Sequence, residues 1–193
     1  MPSSQQTKQC FAKSMKILMT KKSLEAISVG DIAAQSGMSR NAFYYHFQDK
    51  YDLVNWIFRT ESAGFLAQAP DRENWQGILR ALCEYFRENR AFYCNALSYT
   101  GQNSLREYLF DTFSGVVQQH LLDVKDQEGA FMDPQDAVFA GEFFAATVVG
   151  LLERWCSRGM KEDASRYEDC LARILSGEML NAYLHSRESG VDK

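Results

Sequence analysis

Proline is scarce, at 3 in 193 residues. With so few forced breaks in the backbone hydrogen-bond ladder, and helix formers throughout, the chain reads as all-helical. No apolar run reaches the roughly 18 residues that a bilayer requires, so no transmembrane helix and no membrane partner are expected. The opening MPSSQQTKQCFAKSMK lacks the apolar stretch of a signal peptide, which points to the cytoplasm. The 5 cysteines (Cys10, Cys83, Cys94, Cys156 and Cys170) are odd in number and show no CxxC spacing. That pattern supports no metal site. Most read as small buried hydrophobes in a reducing compartment, with a redox-sensing pair as the open alternative. His120 and His185 have no ligand-type cluster around them. Phosphate loops and nucleophile–base arrangements are missing too, so neither an enzyme nor a cofactor is expected.

Hydrophobic residues make up 46% of the chain, enough for a real core. The length suits one domain, or a small domain grafted onto a larger one. The net charge of −4 is unevenly spread: residues 1–60 carry 8 basic against 4 acidic side chains, a balance of +4, and the remainder is at −8. A basic end on an acidic body fits a module that approaches a polyanion with one end.

Apolar residues at Phe11, Met15, Leu18 and Met19 mark an amphipathic helix from Thr7 to about Lys22. Ser28, with Asp31 three residues on, reads as the cap of a short second helix that stops near Gly37, a residue suited to positive φ. Ser39 caps a third helix through about His46, in which Phe43 and Phe47 share the core face. Asp49 caps a fourth, beginning at Lys50. Further helices are expected from about Glu73, from about Leu105 to Leu121, over Asp136–Ser157 and over Tyr167–His185, with Asp123–Asp133 as a polar linker and a frayed end. The domains then divide as 1–50, 51–187 and a flexible tail at 188–193.

The second and third helices have the parts of a helix-turn-helix, whose second helix enters the DNA major groove. Ser39, Arg40 and Asn41 supply a cap and early exposed donors. Arg pairs in bidentate fashion with guanine and Asn with adenine. Tyr44, His46 and Lys50 are placed to reach phosphate oxygens. Tyr45 is ambiguous, since packing against the first helix competes with touching DNA.

The stretch ISVGDIAAQSGMSRNAFYYHFQDKYDLV, Ile27–Val54, resembles the DNA-binding domain of the tetracycline-repressor (TetR/AcrR) family of bacterial transcription regulators. The match includes the Ile-Ser-Val start, the glycine turn and the Tyr-x-His-Phe-x-x-Lys ending. The resemblance implies major-groove positions at Arg40, Asn41 and Ala42, with Tyr44 and His46 beside them, and backbone contacts at Ser28, Tyr45 and Lys50. Ser36 stands where the family usually has Ala, and Ala42 where Thr or Ser is common. The spacing WQGILRALCEYFRENRAFYCNAL at Trp75–Leu97 is similar to the branch that includes a regulator of dihydroxyacetone-kinase genes.

The family plan implies a larger C-terminal helical bundle that dimerises through its last two helices and binds a small molecule or a partner protein. Candidate effector-pocket residues are Phe65, Phe86, Phe92, Tyr93, Phe110, Phe113, Phe143 and Phe144, with plain core as the competing reading of aromatics at helical spacing. Interface candidates are Gly141, Ala145 and Val149 on one helix and Leu171, Leu175 and Met179 on the next. The implied partners are double-stranded DNA, a second copy of the chain, and a small-molecule effector or protein co-regulator. The leading function is a homodimeric, ligand-responsive repressor on a palindromic operator. The alternative is a co-activator or interaction protein whose C-terminal domain docks another protein.

Overall fold

A computed structural model describes residues 4–67, 75–128 and 133–163, together with Ser165 and Arg173. The described residues form helices and connections, without a strand. In chain order they are α1 (Ser4–Met19), α2 (Val29–Ser36), α3 (Arg40–His46), α4 (Lys50–Leu66), α5 (Trp75–Glu88), α6 (Arg90–Leu97), α7 (Leu105–Glu128) and α8 (Pro134–Ser157).

The first three helices close around rings. Phe11 of α1 meets Phe43 of α3 edge-on at 5.3 Å between centroids, and Phe47 meets Trp56 of α4 at 5.7 Å. Such pairs add about 0.5–1.5 kcal/mol each to the burial of their area. Met15, Ile32 and Leu53 are buried in the same small core. Helix α4 carries the core onward, because Phe58 packs edge-on against Phe86 of α5, Tyr93 of α6 and both Tyr108 and Phe113 of α7.

Polar links tie the head to the body as well. Asn95 of α6 accepts from the backbone N–H of Leu24 at 2.7 Å and donates to the carbonyls of Met19 and Lys22. One amide thereby holds the chain leaving α1. Lys16 of α1 pairs with Glu61 of α4 at 2.5 Å, and the Tyr85 hydroxyl donates to the same carboxylate. Tyr93, fully buried, donates to the Tyr85 oxygen at 2.7 Å.

Three expectations are corrected. Helix α1 begins at Ser4 and ends at Met19, where Lys21 and Lys22 donate to the Leu18 carbonyl and close the helix. The expected linker from Asp123 is helical as far as Glu128; its Lys, Asp, Gln and Glu residues are polar but compatible with helix. Finally, α8 is long and apolar enough, by length and composition, to cross a membrane, although Glu142 and Glu153 interrupt its apolar run. Here it lies along α7: a Cβ on Gly141 would stand 2.7 Å from the Ser114 carbonyl, so only glycine permits the close approach of the two helices. The tail at 188–193 and the helix expected over Tyr167–His185, apart from Arg173, lie outside the described residues.

Candidate nucleic-acid interface

The two short helices are held by their own caps. Ser28 accepts from the N–H of Asp31 at 3.1 Å, while the Asp31 carboxylate accepts from the N–H and the hydroxyl of Ser28. This reciprocal box holds the Asp31 pKa down to about 2, through the backbone and side-chain bonds from Ser28 first and then the bond from Lys22. At the other end Gly37 adopts φ +68°, and the amides of Gly37 and Met38 donate to Ala34 and Ala33, which ends α2. Ser39 then caps α3 by accepting from the Ala42 N–H at 3.1 Å.

The result is a helix with two unlike faces. Phe43 and Phe47 are buried, while Arg40, Asn41, Tyr44 and Tyr45 are exposed. Tyr45 is 83% exposed, so it does not pack against α1. Its ring stands edge-on to the half-buried His46 at 4.9 Å. Tyr44 is braced edge-on by Phe43 at 5.7 Å. The guanidinium of Arg40 reaches back over Gly30 in the first turn of α2, where the missing Cβ leaves it room. Ala42 is half-buried against the core.

Lys50 corrects the sequence reading. Its ammonium donates to the backbone carbonyls of Leu24 at 2.8 Å, Glu25 at 2.9 Å and Ile27 at 2.8 Å. An ammonium has three N–H donors, and all are used inside the chain, leaving none for a phosphate. Burial lowers its pKa, against the opposing pull of Glu25 and Asp49. Ser28 is similarly occupied, since its one hydroxyl hydrogen goes to Asp31. The close approach of Arg40 to Gly30 and the bonds of Asn95 to Leu24 and of Lys50 to the loop after α1 were outside the reach of sequence reasoning.

In the larger part of the chain, Phe86, Phe92, Tyr93, Phe113 and Phe144 are buried in the core cluster. Phe86 and Tyr93 stack at 4.0 Å between centroids, which fills the place where a cavity was expected. Phe143 is 59% exposed and lines no interior space, and the side chain of Phe65 lies outside the described residues. Between α5 and α8 the space beside Leu82, Cys83, Val148 and Trp155 amounts to about 10 Å³. A hollow of about 550 Å³ lies instead between α7 and α8, where Phe110, Ala146, Val149 and Gly150 meet the charged Arg106, Glu107 and Asp111. Arg106 is also paired with Glu153 of α8 at 3.0 Å.

The expected interface face of α8 is also corrected. Gly141, Ala145 and Val149 are buried within the chain, because the small residues are used for the approach to α7. The large exposed apolar residues of α8 are Val138, Phe139 and Phe143, the last two rings stacked at 6.5 Å. Leu171, Leu175 and Met179 lie outside the described residues.

Comparison with known proteins follows the same division. A family model described as "Bacterial regulatory proteins, tetR family" matches residues 16–57, and one described as "Transcriptional regulator C-terminal region" matches residues 73–177. The HTH-type dhaKLM operon transcriptional activator DhaS of Lactococcus lactis subsp. lactis (strain IL1403) is 36% identical over 87 residues. That match spans 45% of this chain and 46% of the relative, so the chain spans about half the length of the curated relative it matches. Among solved structures, a dihydroxyacetone kinase operon activator DhaS is similar in fold, with a TM-score of 0.65 at 22% identity over 89% of this chain and 95% of the other. The Thermus thermophilus FadR, a TetR-family repressor in complex with lauroyl-CoA, has a TM-score of 0.66 at 15% identity over 89% and 94%.

Proposed function

The chain belongs to the tetR family of bacterial regulatory proteins, and from that premise we propose that it acts as a homodimer whose α3 helices read the two halves of a palindromic operator. The observation that carries this reading is the exposed tip of α3. Arg40 and Asn41 have no burial to account for them, and they stand where donors to base edges must stand. Tyr44 and Tyr45, beside them, carry hydroxyls toward the phosphates. One seven-residue helix reads too few base pairs for useful specificity, so a two-fold pair is required. The exposed face of α8 around Phe139 and Phe143 is the surface we assign to that pairing.

The body of the protein is read as a sensor without catalytic activity. A signal bound there favours one spacing of the two reading heads and is transmitted through α4 and α6. A ligand-responsive repressor takes a small molecule in the hollow between α7 and α8. A second reading, that the body docks a partner protein, is favoured by the ring-packed interior and by the likeness to DhaS, an activator by name.

Sedimentation of the free protein and its operator complex tests the dimer. Two chains per duplex, lost in a Phe139→Glu, Phe143→Glu double variant that still folds, support it. One chain per duplex contradicts it.

A further inference from the structure

Two of the cysteines that sequence spacing could not pair are brought together by the fold. Cys94 lies in α6, one turn beyond Arg90, and Cys156 lies in the last turn of α8. Both are free thiols, and each is the other's side-chain hydrogen-bond partner. A second observation seats the same two turns on each other: the Arg90 guanidinium lies 3.3 Å from where a Cβ of Gly159 would stand. Gly159 closes α8 at φ +73°, with its N–H donating to the Cys156 carbonyl at 2.8 Å.

We propose that Cys94 and Cys156 form a reversible disulfide that draws α6 onto α8 and loosens the seat of the helix-turn-helix head. The two thiols are unequal in the way such chemistry needs. Cys94 is half-buried and reachable, whereas Cys156 is buried. The bond from Cys156, with Arg90 adding to it against the effect of burial, brings the Cys94 thiol down to about 7. Cys156 is pushed up by the same bond and by burial. Cys94 is therefore the attacking thiolate and Cys156 the resolving thiol.

The oxidant is a hydroperoxide. The Cys94 thiolate attacks its terminal oxygen, the O–O bond breaks, and Cys94 becomes a sulfenic acid while the departing oxygen takes up a proton. The Cys156 sulfur then attacks the Cys94 sulfur, the S–O bond breaks, and the hydroxide released takes the Cys156 proton and leaves as water. Two electrons pass from the sulfur pair to the peroxide, and a dithiol returns them.

Bond closure brings the sulfurs to about 2 Å, pulling α6 toward α8. The residue after Cys94 is Asn95, which holds Met19, Lys22 and Leu24 of the head. Movement of α6 toward α8 takes that clamp away from α1. This consequence for DNA rests on the reading proposed above; the disulfide itself does not.

The test is peroxide treatment of the full-length protein, alkylation of remaining thiols and peptide mapping by mass. A Cys94–Cys156 cross-linked peptide is expected, removed by dithiothreitol and absent from both Cys94→Ser and Cys156→Ala. The half-exposed Cys94 site makes the first variant the safer one for folding. Both thiols remaining free, or bonding to Cys10, Cys83 or Cys170 instead, overturns the pairing. Because the cross-link is read by mass, it is decided whether or not the DNA reading holds. In the second arm, the oxidised protein binds operator about tenfold more weakly than the reduced one, and Cys94→Ser is indifferent to peroxide. A complete cross-link with unchanged affinity overturns the coupling to the head.

Discussion

The guanidinium of Arg40 lies directly over Gly30, in space that any side chain at position 30 would occupy. Two helices thus share one site: α2 gives up a side chain so that the first residue of α3 can lie back across it. The glycine would otherwise be a poor choice inside a helix.

Gly30→Ala follows from this packing. The obstructed atoms are the far end of a flexible side chain, so the head keeps its fold and gains up to about 1 kcal/mol from helix propensity. Arg40 is pushed off α2, and its approach to DNA changes. Thermal unfolding is expected to show equal or higher stability while operator affinity falls, by less than for loss of Arg40 itself. Lower stability with unchanged affinity would show that the close approach has no bearing on the interface.

The Ser28–Asp31 box makes a pH prediction. The carboxyl titrates at about 2 in the folded chain, below its ordinary value of 3.8. A depressed carboxyl contributes stability that is present above the ordinary value and lost as pH falls through about 2. An NMR titration of the Asp31 carboxyl checks the value directly. In Ser28→Ala the midpoint moves only part of the way up toward 3.8, because the hydroxyl bond is lost while the larger contribution, the backbone N–H of residue 28, remains.

Lys50 tests whether a residue that looks like a phosphate contact is instead a brace. Lys50→Met strands three carbonyls and is expected to cost about 2–3 kcal/mol of stability. The salt dependence of DNA binding by the folded protein stays as it was, since no phosphate contact is lost. Chemical denaturation and a salt series separate the two. A shallower salt slope at full stability would restore the phosphate role.

What was legible in the sequence is what is local. Ser28, Ser39 and Asp49 accept from backbone N–H groups two or three residues on, the Gly37 N–H donates to a carbonyl three residues back, and each does what its type and position suggest. The apolar faces of α1 and α3 were readable from periodicity for the same reason. Asn95 was not, because its acceptor bond reaches a residue 71 positions away, and nothing beside it in the chain distinguishes a clamp from a solvated amide. Gly141 and Ala145 were legible as a face for close approach, but the sequence does not say which neighbour takes it. Helix α7, in the same chain, does. The aromatics of the body misled in the opposite sense: Phe86, Tyr93 and Phe113 fill one another's space around Phe58, and only coordinates tell a ring that lines a cavity from one that closes it.

The central claim is that α3 reads DNA through its exposed tip. Its most direct test is the affinity of wild type and Arg40→Ala for the DNA flanking the protein's own gene, measured over a salt series. Wild-type binding that weakens steeply with salt, with a loss of about 1–3 kcal/mol at the cognate site in Arg40→Ala, is the predicted result. Equal affinity of the two proteins at every salt concentration would contradict it.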